Sequence, residues 1–149
     1  MKTAPALHVL LIEDQDADAE LLSEAALIAG LSWEIVHVRD GEAALAALET
    51  GAPQLILTDL HVQGMDGHTF LELLHGDARW QAVPVVVLSG SMREADRQRS
   101  LDRHASAVCL KPDHFQGYLD LARELDQRWG SAGRAAPLEA SPPLTGEQA

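Results

Sequence analysis

The sequence predicts an α/β fold: a five-stranded, doubly wound parallel sheet of order 2-1-3-4-5 with helices on both faces. Short apolar runs alternate with helical stretches five times along the 149 residues, and this alternation is typical of parallel sheets. The run before Ser89 is rich in Val, as in strands that are covered on both faces. The length fits one domain, for which this strand order is common.

Each element has its own signal. The predicted strands are the apolar runs Leu7–Ile12, Trp33–Val38, Gln54–Thr58, Val83–Leu88 and Ala107–Leu110. The predicted helices follow them at Ala17–Ala29, Gly41–Glu49, Gly67–His75, Met92–His104 and Phe115–Trp129. Gly30 is a typical helix-ending residue, and Asp40 is a favourable N-cap for the second helix. Right-handed crossovers between the strands then give the flavodoxin-like arrangement.

Composition limits the environment in which the protein works. Residues 1–129 are predicted to fold, and residues 130–149, rich in Gly, Ala, Ser and Pro, to form a disordered tail. The net charge of −12 disfavours nucleic-acid binding. The single cysteine, Cys109, fits a reducing compartment. No apolar run approaches the roughly 20 residues of a membrane helix, and the N-terminus lacks the apolar core of a signal peptide, so we expect a cytoplasmic protein.

Polar side chains follow the predicted strands at their carboxyl ends, the edge at which open parallel sheets bind ligands. Clustered carboxylates repel one another, and a hard cation such as Mg²⁺ relieves that repulsion with oxygen ligands. The expected metal ligands are Glu13 and Asp14 after the first strand, Asp59 after the third, and the backbone carbonyl of His61. Ser89 follows the fourth strand and Lys111 follows the fifth, which completes the predicted site.

These residue types suit phosphoryl transfer, which needs positioning and charge neutralisation more than covalent help. Asp59 is the predicted nucleophile toward phosphorus. Lys111 and Mg²⁺ would neutralise the phosphoryl oxygens, and Ser89 would donate a hydrogen bond to one of them. The bond between Lys111 and Pro112 is a candidate cis peptide, which would aim the lysine.

The same features resemble the receiver domains of bacterial response regulators. The resemblance rests on the acidic pair, the lone Asp59 after an apolar strand, the Ser after VVVL and the Lys-Pro pair, over residues 7–129. It implies a protein that accepts a phosphoryl group from a histidine kinase and signals by protein–protein contact. The stretches VRDGEAALAAL, PVVVLSGS and RHASAVCLKP are similar to small response regulators paired with phytochromes, which implies a bacteriophytochrome as the kinase.

The sequence departs from the family pattern at three places. Glu13 stands where many receivers have Asp, and Val62-Gln63 stands where many have Met-Pro. Val108 occupies the position of an aromatic switch residue, three residues before the lysine. A Val side chain cannot rotate in and out as a Tyr does, which argues against the usual readout.

Other functions remain as alternatives. A phosphohydrolase could use Asp59 as its nucleophile, but similar phosphatases usually carry a second Asp two residues later, where this chain has His61. A degenerate receiver that serves only as an interaction module is disfavoured by the intact acids and Lys111. A nucleotide-binding protein is disfavoured because no Gly-rich loop follows the first strand.

A homodimer through the fourth helix, fifth strand and fifth helix is also predicted. The fifth helix carries more large apolar residues than one core-facing stripe is expected to hide: Tyr118, Leu121, Leu125 and Trp129. Charges of opposite sign could pair across a two-fold axis: Arg93, Arg97, Arg99 and Arg103 with Asp120, Glu124 and Asp126. The alternative is a monomer in which these charges pair internally.

Overall fold

Strands and helices alternate along the chain. The computed structural model describes residues 6–59, 61–62, 65–90, 94–102 and 105–130. The strands are β1 (Leu7–Ile12), β2 (Trp33–Val38), β3 (Leu55–Asp59), β4 (His61–Val62), β5 (Met65–Asp66), β6 (Val85–Ser89) and β7 (Ala107–Leu110). The helices are α1 (Asp16–Ile28), α2 (Gly41–Thr50), α3 (Gly67–His75), α4 (Glu94–Asp102) and α5 (Phe115–Trp129).

The main sheet is parallel and has the order β2-β1-β3-β6-β7. Counted without the short strands β4 and β5, this is the predicted order 2-1-3-4-5, which is confirmed. Asp59 pairs in register with Leu88, and Ser89 pairs with Leu110. The carboxyl ends of these strands therefore meet at one edge of the sheet.

The two faces of the sheet have separate cores, because successive side chains of a strand point to opposite sides. Val9 and Leu11 belong to the core beneath α1 and α5, together with the buried Cys109. Leu10 and Ile12 belong to the core beneath α2 and α3. The central strands β3 and β6 are covered on both faces, which explains why their sequences lack polar alternation.

The predicted roles of Gly30 and Asp40 at helix ends are confirmed. Gly30 follows α1 with a φ of 75°, a left-handed conformation that glycine adopts without a steric penalty. The amides of Gly30 and Leu31 bond back to the carbonyls of Leu27 and Ala26, both at 3.0 Å. A carboxylate oxygen of Asp40 accepts a 2.7 Å hydrogen bond from the amide of Ala43 at the start of α2.

Several local predictions differ from the structure. The loop predicted after Asp59 contains the antiparallel pair β4–β5, whose two-residue strands are too short for a periodic sequence signal. The Lys111–Pro112 peptide bond is not cis, so that expectation is wrong; the lysine reaches the site with a trans bond. Strands β3 and β6 continue through Asp59 and Ser89, because the backbone pairing extends that far.

The large apolar residues of α5 are more fully buried than the sequence predicted. Tyr118, Leu121, Leu125 and Trp129 are all buried, so the expected residual apolar patch on this helix is wrong. The stripe packs into the core that α5 shares with α1 and the sheet. Asp126 is also engaged inside the subunit, since it accepts a 3.0 Å hydrogen bond from Nε1 of Trp33.

Some predictions lie outside the described residues. These are the predicted ends of the fourth helix at Met92 and His104, the arginines Arg93 and Arg103, and the tail after residue 130. Within the described part of the chain, no helix combines the length and apolarity needed to span a bilayer.

Candidate functional site

Lys111 lies at the centre of the site, directly after β7. Its backbone amide donates a 2.7 Å hydrogen bond to the carbonyl of Ser89, which fixes where the side chain begins. Its Nζ atom lies 2.8 Å from Oε1 of Glu13 and 3.1 Å from Oδ2 of both Asp18 and Asp59. One ammonium group therefore joins three carboxylates that arrive from β1, α1 and β3.

Glu13 is held more tightly than its acidic neighbour. It is buried after β1, its amide donates to the carbonyl of Val38 over 2.9 Å, and its Oε2 accepts a 3.0 Å hydrogen bond from the amide of Gln15. Burial raises the pKa of Glu13, while the hydrogen bonds from Lys111 and Gln15 oppose that shift. Both carboxylate oxygens of Glu13 are engaged within the protein.

The carboxylates keep Lys111 protonated. Burial by itself would lower the pKa of the lysine, but the hydrogen bonds to Glu13 and Asp18 and the negative charge of Asp59 raise it well above its usual value. The site therefore presents a fixed positive charge beside Asp59, as an incoming phosphoryl group requires.

The predicted metal-ligating carboxylates also come together. Glu13, Asp14 and Asp59 each offer one oxygen, and the three oxygens lie within 4.8 Å of one another. An all-oxygen donor set of this kind fits a hard divalent cation, which would also relieve the repulsion between the carboxylates. His61 follows in β4, and the participation of its carbonyl stays a prediction.

Ser89 lies at the end of β6, buried and one register step beyond the residue that pairs with Asp59. Because β3 and β6 are adjacent in the sheet, their ends bring the serine and the aspartate to the same edge. The role of Ser89 toward a phosphoryl group stays a prediction.

Asp18 is a member of the cluster that the sequence reasoning missed. It lies in the first turn of α1, four residues after Asp14, and its carboxylate contacts Lys111. A residue in the first turn of the helix that follows β1 stays close to the carboxyl edge of the sheet, but the contact with Lys111 also depends on how α1 is rotated about its axis, for which the sequence gives no signal.

Comparison with known proteins identifies relatives of this fold and site. Residues 9–122 match the family model described as the response regulator receiver domain. The probable methanogenesis regulatory protein FilR2 of Methanothrix harundinacea is 34% identical over 127 residues, covering 81% of this chain and 82% of that protein. The response regulator Rcp1 of Synechocystis is 29% identical over 132 residues, covering 84% and 90%.

Solved structures agree with the sequence relatives. The phosphorylated cyanobacterial phytochrome response regulator RcpA superposes with a TM-score of 0.79 at 31% identity, covering 86% of this chain and 96% of RcpA. The Mn²⁺-bound form of Rcp1 superposes with a TM-score of 0.75 at 27% identity, covering 95% of this chain and 100% of Rcp1. The relatives thus share both the fold and most of its length with this chain.

Proposed function

The chain belongs to the response regulator receiver family and is a phosphoacceptor of two-component signalling; from this premise we propose that Asp59 accepts the phosphoryl group. The observation that carries the proposal is the 3.1 Å contact between Oδ2 of Asp59 and Nζ of Lys111. A carboxylate beside a permanently charged ammonium, at the carboxyl edge of a parallel sheet, is positioned to meet a phosphoryl donor.

The proposed reaction is transfer from a phosphohistidine. A carboxylate oxygen of Asp59 attacks phosphorus, a P–O bond forms, and the P–N bond to the donor imidazole breaks. Lys111 donates a hydrogen bond to one phosphoryl oxygen, and the Ser89 hydroxyl donates to another. Water later attacks the acyl phosphate and returns the free carboxylate with inorganic phosphate, so the protein promotes its own modification and its reversal.

Mg²⁺ is the cation that we propose for the acidic cluster. Glu13, Asp14, Asp59 and the carbonyl of His61 would hold it, with waters completing an octahedron. When bound, Mg²⁺ supplies positive charge against the phosphoryl oxygens. The proximity of the three carboxylates supports this assignment, as does the Mn²⁺-bound form of the relative Rcp1.

A phytochrome-type sensor histidine kinase is the partner that we propose. RcpA is a cyanobacterial phytochrome response regulator and is similar to this chain in sequence and fold. Such a partnership belongs in the cytoplasm, a location that the single, free and buried Cys109 also favours. We expect no direct contact with nucleic acid, because the net charge of −12 repels phosphate backbones.

A homodimer through α4, β7 and α5 is part of the same proposal. The dimer face is supported by Leu110, a large apolar residue that is 52% exposed at the end of the edge strand β7. Charges of opposite sign lie on the two helices that flank β7 in the chain: Arg97 and Arg99 on α4, and Asp120 and Glu124 on α5. A two-fold axis through this face would place the arginines of one copy against the carboxylates of the other.

The assignment of Asp59 is tested with a small phosphodonor such as acetyl phosphate, in the presence of Mg²⁺. The wild-type protein should gain one phosphate by intact mass, and Asp59→Asn should gain none. Asp16→Asn is the matched control, since Asp16 is exposed and pairs with Arg39 instead of Lys111. Labelling of Asp59→Asn to the wild-type level would refute the assignment.

The same preparation separates the receiver from an Asp-nucleophile phosphohydrolase. A receiver forms one acyl phosphate per chain and does not turn over a generic phosphate ester such as p-nitrophenyl phosphate. Sustained hydrolysis of that ester by wild type, and its loss in Asp59→Asn, would instead identify the protein as a phosphohydrolase.

A further inference from the structure

Tyr118 is a buried residue whose hydroxyl takes no part in the proposed phosphoryl transfer. It is the only tyrosine of the chain, it lies on α5, and 2% of it is exposed. Its hydroxyl is buried and, among the described residues, finds no hydrogen-bond partner. Buried hydroxyl groups are almost always hydrogen-bonded, so a tyrosine in this position calls for a partner.

The surroundings of this hydroxyl connect it to the phosphorylation site. Burial raises the pKa of Tyr118, the charges of Asp18 and Glu13 and the close approach of the Asp18 carboxylate to the hydroxyl raise it further, and the positive charge of Lys111 opposes them. The carboxylate of Asp18 is thus a near neighbour, although its contact with the hydroxyl falls short of hydrogen-bond geometry. Asp18 therefore contacts the ammonium of Lys111 and also lies close to the phenol of Tyr118.

Lys111 has no spare proton for a phosphoryl group in this arrangement. An ammonium has three hydrogens, and Glu13, Asp18 and Asp59 already surround it. When Asp59 carries a phosphoryl group, the ammonium hydrogen that faced Asp59 can turn to a phosphoryl oxygen, but Lys111 can give a second hydrogen to the phosphoryl group only by releasing another carboxylate. Asp18 is the one that neither belongs to the metal cluster nor accepts the phosphate. Its side chain is also the most exposed of the three, at 31%.

We propose that phosphorylation of Asp59 moves Lys111 away from Asp18 and that Asp18 then accepts a hydrogen bond from the hydroxyl of Tyr118. The inference rests on Asp59 being the phosphoacceptor. The exchange satisfies the buried hydroxyl and gives Asp18 a donor in place of the lost ammonium. Because Tyr118 belongs to α5, phosphorylation of Asp59 changes a hydrogen bond made by this helix.

The exchange between Asp18 and Tyr118 takes the place of the aromatic switch, which this chain lacks because Val108 occupies that position. Val108 is buried in the core on the face of the sheet opposite to that of Tyr118, and its side chain has no polar group to report on the site. Tyr118 packs in the core between α1 and α5, where a new bond between Asp18 and Tyr118 would join the two helices. The signal then reaches α5 directly from the site.

The single tyrosine makes the exchange measurable at one atom. Carbon-13 is introduced at Cζ of tyrosine in the full chain, and the resonance is recorded before and after addition of beryllofluoride with Mg²⁺, a stable mimic of the acyl phosphate. We expect a downfield shift, because donation to a carboxylate gives the phenol more phenolate character. An unchanged resonance in a protein that binds the mimic would overturn the proposal.

Two variants and one control variant separate this hydrogen bond from a general change in packing. Asp18→Ala should abolish the shift, whereas Asp16→Ala, in the same helical turn but paired with Arg39, should preserve it. Tyr118→Phe should bind beryllofluoride about threefold to tenfold more weakly. Its unphosphorylated form should be as stable as wild type or more stable, because the lost hydroxyl made no bond there. Wild-type affinity in Tyr118→Phe, or a full shift in Asp18→Ala, would refute the exchange.

Failure of this inference can be told from failure of the proposed function. If acetyl phosphate labels wild type but not Asp59→Asn, while the Cζ resonance of the mimic-bound protein stays in place, only the exchange is wrong. If Asp59→Asn is labelled as fully as wild type, Asp59 is not the acceptor and both proposals fall.

Discussion

Nζ of Lys111 lies 2.8 Å from Oε1 of Glu13, closer than it lies to either of its other two carboxylate contacts. The glutamate stands where many receivers carry an aspartate, and the contact gives its longer side chain a role. Glu13 also accepts a hydrogen bond from the amide of Gln15. The first acid of the pair therefore positions the lysine as well as contributing to the acidic cluster.

Asp14 should matter more than Glu13 for Mg²⁺ binding. Both oxygens of Glu13 are engaged with Lys111 and Gln15, so Asp14 is the member of the pair better able to give an oxygen to a metal. In a calorimetric Mg²⁺ titration, Asp14→Ala should weaken binding more than Glu13→Ala, and the exposed Asp16→Ala should bind like wild type. Equal losses for the first two variants, or a larger loss for Glu13→Ala, would reverse these roles.

Removal of the lysine charge should move two affinities in opposite directions. Lys111→Met takes a positive charge out of the acidic cluster, so Mg²⁺ should bind roughly threefold to tenfold more tightly. Beryllofluoride should bind roughly tenfold more weakly or worse, because a charge-assisted hydrogen bond to it is lost. Titrations of metal and mimic measure the two effects separately.

Arg79→Met is the matched control for this experiment. Arg79 also pairs with two carboxylates, those of Asp77 and Glu49, but on the exposed surface. Both affinities should stay at their wild-type values in this variant. A parallel loss of metal and mimic binding in Lys111→Met would indicate general damage to the site and contradict the assigned role.

The N-cap of α2 should contribute measurably to stability. Asp40→Ala removes the 2.7 Å hydrogen bond to the amide of Ala43, which should lower the free energy of unfolding by about 1 kcal/mol. Gln15 is the corresponding N-cap of α1 and makes no side-chain cap bond, so Gln15→Ala should change stability little. Urea unfolding compares the two, and equal losses would contradict the capping role of Asp40.

The proposed dimer face can be tested with two exposed apolar residues of similar exposure. Leu110 is 52% exposed on the edge strand β7, and Val36 is 55% exposed on β2, the opposite edge of the sheet. In sedimentation at micromolar concentration, wild type and Val36→Glu should be dimers, and Leu110→Glu should be a monomer. A monomeric wild type with and without beryllofluoride would refute the dimer, and a dimeric Leu110→Glu would refute the face.

Much of the fold follows from local sequence signals. Each strand of the main sheet is a largely apolar run, and Gly30 and Asp40 mark helix ends by their own chemistry. The carboxyl edge of a parallel sheet then brings Glu13, Asp59 and Lys111 together without further information. These parts of the site were predictable because topology alone fixes them.

Other features depend on how the elements pack. The contact between Asp18 and Lys111 depends on the rotation of α1 about its axis, which a single helical turn of sequence does not define. The burial of Trp129 depends on the depth of the groove that α1 and the sheet offer to α5. Neither quantity is a property of the segment itself, so the sequence could not supply it.

Whether Asp59 carries the phosphate is tested most directly by locating the acyl phosphate on the chain. The chain is phosphorylated with acetyl phosphate and Mg²⁺ and reduced with borodeuteride, which converts a phosphorylated aspartate into deuterium-labelled homoserine. Peptide mass mapping then finds the modified position. We predict labelled homoserine at position 59 and at no other carboxylate. Label at Asp14 or Asp18, or a phosphate on Ser89 with Asp59 unchanged, would contradict the account.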